Sequence, residues 1–267
     1  MGRHAAACID RTEMREREVD AMNARRTAIL EILTRNGQAS VQELAETTGV
    51  SVVTVRQDLS MLENGGFLRR THGGATLLEV ENISHRMSIR YEEKLRLAKK
   101  AAGLVRDNET VLLESGSANA LLARELASRN VQIVAANLFI AKQIRPGDLA
   151  RVVVMGGMYQ PESESVVGAM ARQNIESTFF TTAFLGMDGF TLETGFTNRD
   201  MMRAEIASLI AERCKNTYIL ADSSKFGATA MAHICGLDEL AGVITDRDLP
   251  EHFVKAIRKS KAELYLV

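Results

Sequence analysis

Cysteine is scarce in this chain. Cys8, Cys214 and Cys235 are an odd number without ligand-like spacing, which argues against a disulfide framework and a zinc site and fits a reducing cytosol. A dominant charge is missing too: the formal net charge of the 267 residues is -1, so nucleic-acid binding would have to come from a local patch. No run is long and apolar enough to span a membrane. The opening "MGRHAAACIDRTEMREREVD" lacks an apolar core of signal-peptide length, so secretion is not expected. No internal repeat or low-complexity tract stands out. What is there is 46% hydrophobic and 25% charged, enough to bury one large core with a small domain beside it, or two comparable ones.

Regular patterning starts at Arg25. Residues 1–24 read as a polar extension, and Met22 heads a stretch that would make a sensible start by itself. "RRTAILEILTRNG" puts Ile29, Leu30, Ile32 and Leu33 on helical spacing and stops at Asn-Gly. "SVQELAETTG" opens with Ser40 and Glu43 spaced as a capping box and closes at Gly49. Ser51 can cap a third helix with Val52, Val55, Leu59 and Leu62 on one face. After "ENGG", the stretch "FLRRTHGGATLLE" alternates enough for a short hairpin. Three short helices, tight turns and a hairpin predict a winged helix-turn-helix over residues 25–77.

The third helix then points Val53, Thr54, Gln57 and Met61 away from its core face. Thr54 and Gln57, with Ser51, are short polar groups able to reach base edges, and glutamine can bond adenine through two hydrogen bonds. Arg56 lies on the flank, within reach of a phosphate or a guanine. Arg69, Arg70 and His72 fall in the wing, where basic groups meet the backbone or the minor groove. The bland alternative pairs Arg56 with Asp58 or Glu63 on a solvated helix. For any single residue that alternative is the better one; for the whole arrangement it is not.

Arg25, Ile29, Leu33, Ser51, Thr54, Val55, Arg56, Gln57, Asp58 and Leu59 fall at the spacing of the signature of the DeoR family of bacterial transcriptional repressors, and "LRRTHGGA" resembles that family's wing. The resemblance implies double-stranded operator DNA as partner and homo-oligomers, dimers or tetramers, on repeated half-sites. The apolar-rich stretch around Phe179, Phe180, Phe184 and Met187 is the expected place of self-association, although for any one of these residues ordinary core is the better reading.

Residues 78–94 are polar, lack a clean period and read as a linker turning into a helix. From 95 to 267, short Val/Ile/Leu runs alternate with helical segments, which predicts an α/β domain with a mostly parallel sheet. Parallel strand ends carry ligand sites, because loops converge there and helix N-termini expose unpaired N–H groups. The ends read Glu114, Ser115, Gly116 and Ser117 in "ESGSAN", then Asn137, Gly156–Gly157, "GMDG" with Asp188, and "DSSK" from Asp222 to Lys225. Hydroxyls, close-approach glycines and a lysine suit an anion that carries hydroxyls, such as a sugar phosphate. Neither loop has the spacing of a Walker motif.

This second half also resembles the same family's effector domain, similar in fold to ribose-5-phosphate isomerase and glucosamine-6-phosphate deaminase. That implies a small phosphorylated, sugar-like effector whose binding releases the operator. A cytoplasmic setting, with neither cofactor nor metal, is also expected. Two departures stand out: Glu114 and Ala118 replace the family's usual Asp and Thr, and "NRDMMRAEIA" offers Arg199, Asp200 and Arg203 where a Glu-Lys pair is common. The alternative is a sugar-phosphate isomerase or deaminase fused to a DNA reader. It would need a placed general base, for which Glu114, Asp188 and Asp222 qualify by type. His4, His85, His233 and His252 lie outside the strand-end loops, so they offer none. With a DNA reader attached, binding without catalysis is the expectation.

Overall fold

The computed structural model describes residues 24–33, 36–64, 68–77 and 83–267. The polar extension with His4 and Cys8, the Gly65–Gly66 break and the first part of the linker lie outside the described residues. The chain parts into two compact units between Ile89 and Arg90.

The first unit opens with helix α1 at residues 24–33. Strand β1 (Gln38–Ser40), helices α2 (Val41–Thr48) and α3 (Val52–Asn64), strands β2 (Leu68–Thr71) and β3 (Gly74–Leu77) and helix α4 (Ile83–Ser88) follow. Ser40 and Glu43 close the capping box their spacing predicts, and Gly49 ends α2 in the left-handed region that favours glycine. The Ser51 hydroxyl accepts from the Thr54 N–H at 3.1 Å and starts α3. Ile29, Leu33, Leu44, Val55, Leu59 and Leu68 are fully buried in one cluster, each burial stabilising by about 1.5–3 kcal/mol. The strands form an antiparallel sheet in the order β1-β3-β2, with β2 and β3 as the wing.

The second unit begins with α5 (Tyr91–Ala102), inside the stretch read as linker. It continues β4 (Thr110–Leu113), α6 (Ser117–Leu126), β5 (Gln132–Ala135), α7 (Leu138–Ala141), β6 (Arg151–Val154), β7 (Met158–Gln160) and β8 (Ser165–Val167). Then come α8 (Ala169–Ser177), β9 (Thr182–Leu185), β10 (Gly189–Thr191), β11 (Gly195–Asn198), α9 (Met201–Arg213) and β12 (Thr217–Leu220). The last elements are β13 (Ala232–Cys235), β14 (Gly242–Thr245), α10 (Glu251–Lys259) and β15 (Glu263–Leu266). Seven strands make one sheet, β15-β14-β12-β9-β4-β5-β6, and every neighbouring pair is parallel. A small antiparallel sheet, β10-β11-β13, and a β7–β8 hairpin accompany it. Among the described residues no helix is long and apolar enough to cross a membrane.

The strand order carries the functional consequence. The chain builds outward from β4 through β5 to β6, then restarts at β9 and builds the other way through β12, β14 and β15. The order therefore reverses between β4 and β9, and loops leaving those two strands diverge to open a crevice. Most of the stretch expected to mediate self-association is core. Phe184 lies in the central strand β9 and is fully buried with Met187 beside it in the core, and Phe180 packs partly against that core. Phe180 keeps part of its surface in solvent, and Phe179 is 89% exposed.

Candidate functional site

On α3 the buried stripe of Val55, Asp58, Leu59 and Leu62 leaves Val53, Arg56, Gln57 and Met61 exposed. Asp58 does not pair with Arg56: its carboxylate takes the Arg25 and Arg26 guanidinium N–H groups at 2.5 and 3.0 Å. Two arginines at the start of α1 thus fasten that helix to α3 and leave the Arg56 side chain outward. Thr54 is half-buried, its hydroxyl 2.9 Å from that of Ser51. Arg26, Val53, Arg56, Gln57, Ser60 and Met61 line a groove of about 590 Å³ on this face. In the wing, Arg69 and His72 are exposed. Arg70 has a further contact: its guanidinium donates to Ser60 Oγ at 2.7 Å and its backbone N–H to Glu63 Oε1 at 2.8 Å, which fixes β2 to α3. Gln57→Ala is expected to weaken cognate DNA by about 1–3 kcal/mol while sparing random DNA. Arg69→Ala is expected to weaken both alike and to lower the salt slope. Titration of both variants on cognate and random duplexes at two salt concentrations checks this, and equal loss on both duplexes for Gln57→Ala would contradict it.

In the second unit, Glu114, Ser115 and Gly116 follow β4, and Gly186, Met187 and Asp188 follow β9, on the two lips of the crevice. Gly116 has φ 108° and leads into α6. A Cβ on Gly186 would sit 2.7 Å from the Ser115 carbonyl oxygen, so glycine is what lets the two loops touch. The Gly186 N–H donates to Glu114 Oε2 at 3.2 Å, tying the lips together. Glu114 is buried, and burial pushes its carboxyl above the usual range against the opposing pull of Arg203, the Ser115 hydroxyl and the Gly186 N–H. Asp188 is also buried; it accepts from the Arg199 N–H at 3.2 Å and lies 3.8 Å from the Arg203 guanidinium, itself only 3% exposed. Around them Asn119 and Asn198 are fully buried. Asn119 Oδ1 and Asn198 Nδ2 have no hydrogen-bond partner, although the other end of each amide does. Asp200 caps α9 and also accepts from Gln160 Nε2 at 3.1 Å, which brings the β7–β8 hairpin to the same place.

The remaining strand-end residues follow other strands, β5, β6 and β12. Asn137 is buried with its amide committed: Oδ1 caps α7 through the Ile140 N–H, and Nδ2 donates to the Ser163 carbonyl and Ser165 Oγ. Gly156 and Gly157 follow the edge strand β6, two strands away from β4. Gly156 N–H donates to Asn174 Oδ1 at 2.7 Å, and a Cβ on Gly157 would meet the Val167 carbonyl oxygen at 2.7 Å. These three hold turns. Asp222 follows β12 and caps the 3-10 turn Ser223–Lys225, taking the Ser224 N–H at 3.2 Å and the Ser224 hydroxyl. Burial would raise its carboxyl, but Lys94, Ser224, Lys225 and Arg90 outweigh that and hold it below the usual range. Arg90 and Lys94 belong to the stretch read as linker, and no periodicity marked them. Among the described residues no group of three His, Cys, Asp or Glu is arranged to hold a metal ion.

A family model of the DeoR-like helix-turn-helix domain matches residues 25–81, and one of the DeoR C-terminal sensor domain matches residues 89–247. The chain belongs to the DeoR family. It is a DNA-binding transcriptional regulator, with a sensor domain behind the DNA reader. The HTH-type transcriptional regulator GolR of Listeria innocua is 31% identical over 86% of this chain and 93% of its own length. The putative aga operon transcriptional repressor of Escherichia coli O157:H7 is 27% identical, covering 94% and 96%. The lactose phosphotransferase system repressor of Lactococcus lactis is 30% identical, covering 84% and 91%. Among solved structures, ribose 5-phosphate isomerase A of Methanocaldococcus jannaschii aligns at TM-score 0.38 and 20% identity over 51% of this chain and 55% of its own, too distant to bear on function.

Within this DeoR-family regulator, the segment "NRDMMRAEIA" supplies both Asp200 and Arg203. Nothing local in the sequence marks Arg203 as the buried cation between Asp188 and Glu114. It lies three positions after the helix-capping Asp200, one turn into α9.

Proposed function

We propose that this regulator is a repressor of sugar-metabolism genes, released from its operator when a small phosphorylated, sugar-like effector binds at the crevice between β4 and β9. The observation that supports the effector reading most is the pair of buried, unpartnered amide atoms, Asn119 Oδ1 and Asn198 Nδ2, beside two buried carboxylates. A native fold rarely leaves buried polar atoms unsatisfied unless a ligand or water completes them. Carboxylates and amides suit sugar hydroxyls, whereas Ser115, Gly116 and Ser117 at the start of α6, with Lys225, suit the anionic group. The names of the aga and lactose relatives support repression, and that of the lactose relative supports a sugar-derived signal. In this reading the regulator acts in the cytoplasm, two or more copies occupy repeated half-sites, and the site binds without turnover.

A panel of phosphorylated sugars is tested by thermal shift on the full chain. A ligand at 100 times its Kd stabilises by about 2.7 kcal/mol, enough to read. The active compound is then titrated against operator-bound wild type and Lys225→Ala. The variant is expected to keep operator binding and to need at least tenfold more effector for release; an unchanged midpoint places the anion elsewhere. Consumption of the effector by purified protein would overturn binding without turnover, monomer alone in sedimentation at micromolar concentration would overturn the oligomer, and increased transcription on operator binding would overturn repression.

A further inference from the structure

We infer that Val53 reads the 5-methyl group of a thymine in the operator. The inference rests on the reading of α3 as the helix that enters the major groove. Val53 is 63% exposed, on a helix whose Val55 and Leu59 are fully buried. Hydrophobic surface is scattered singly on most proteins and by itself says little. Here it is not single: Val53 shares its groove with Met61, 56% exposed, and with Arg26, Arg56, Gln57 and Ser60. Arg26 is already paired with Asp58, but the exposed Arg56 remains and the lining holds no carboxylate, so its charge complements a polyanion rather than an average protein surface.

Inside such a groove the chemistry of valine is narrow. It has no donor or acceptor and cannot read the hydrogen-bonding edge of any base. In the major groove the one apolar group on an unmodified base pair is the C5 methyl of thymine. Val53 and Gln57 are one helical turn apart and share a face. Their separation along the axis, about 6 Å, is under two base-pair rises of about 3.4 Å. If Gln57 bonds an adenine, the thymine read by Val53 therefore lies within about two base pairs of it. Thr54, its neighbour in the first turn, has its hydroxyl shared with Ser51 and sits half-buried, so Val53 is the more exposed of the two.

The full chain is used to select duplexes from a randomised library, and the enriched duplex is resynthesised with each thymine replaced singly by deoxyuridine, which removes only the methyl. At one position per half-site, uridine is expected to weaken wild type about fourfold, the worth of one buried carbon group. Val53→Ala should bind the thymine duplex correspondingly weaker and show no further loss with uridine at that position, whereas Gln57→Ala should remain methyl-sensitive there. Because Val53 is exposed, the melting temperature of Val53→Ala should match wild type. If every uridine is tolerated within twofold, or Val53→Ala keeps full methyl sensitivity, the assignment is overturned while the enriched duplex leaves α3 as the DNA reader. If no duplex is enriched, both fall, and the groove serves a protein partner.

Discussion

Replacing Arg203 by methionine is expected to destabilise the sensor unit by about 3–5 kcal/mol at neutral pH, the range for removing one member of a buried ion pair. The side chain is buried beside Asp188, 3.8 Å away, and its charge opposes the upward push of burial on Glu114. Methionine matches the volume and leaves two buried carboxylates facing each other without a cation. The pH dependence follows from the sign. Without Arg203 the Glu114 carboxyl rises still farther above its unfolded value, so the native state holds a proton that the unfolded chain releases. Stability then falls as pH rises from the ordinary carboxylate range toward that higher folded value. Urea unfolding at pH 5 and pH 7 should therefore show a larger deficit at pH 7. The double variant Arg203→Met with Asp188→Asn should recover part of the loss, because one of the unpaired charges is gone. A deficit under about 1 kcal/mol, or one that grows toward acid, would mean that Arg203 is not what keeps the two carboxylates in the crevice.

The first unit was legible because its information is local. Ser40 with Glu43, Gly49, and Ser51 before Thr54 mark helix ends through contacts three or four residues long, and the structure makes each of them. The strands of the second unit were legible as apolar runs, and their parallel pairing as alternation with helices. Their order was not. A run such as "TAFL" carries no label saying that it lies between β4 and β12, yet that order is what opens the crevice beside Glu114. The same lack of locality hid the second partners. Asn137 ends a strand as a ligand residue would, but its amide turns to Ser163 and Ser165, more than 20 residues on. Asp58 was weighed against its helical neighbour Arg56, and the structure pairs it with Arg25 and Arg26 across 33 and 32 residues. Charged residues in a sequence announce that a partner exists; only the fold says which.

Asp222→Asn should lower stability at pH 7 by about 3 kcal/mol, again the range for removing one member of a buried ion pair, and should flatten the response to acid. Asp222 is nearly buried at the end of β12, with Lys94 Nζ at 3.6 Å and Arg90 Nη1 at 3.8 Å. Lys94 is buried as well, so the amide variant removes the carboxylate that faces an ammonium held out of water. In the wild type the folded carboxyl sits below its ordinary value despite burial, because Lys94, Ser224, Lys225 and Arg90 together favour the ion. A depressed carboxyl contributes stability that is complete above its unfolded value, about 3.9 for aspartate, and is lost as pH falls through the folded value. The wild type should therefore lose more stability than Asp222→Asn between about pH 5 and pH 2, and the two curves should converge at the acid end. Asp246→Asn provides the comparison. Asp246 accepts from the Ser223 N–H at 2.7 Å and from Arg90 Nη2 at 3.2 Å, so it holds the same turn from β14. Parallel acid curves for wild type and Asp222→Asn would show that the Lys94 ammonium is stabilised by something other than this carboxylate, and would remove Asp222 as the electrostatic anchor of the Ser223–Lys225 turn.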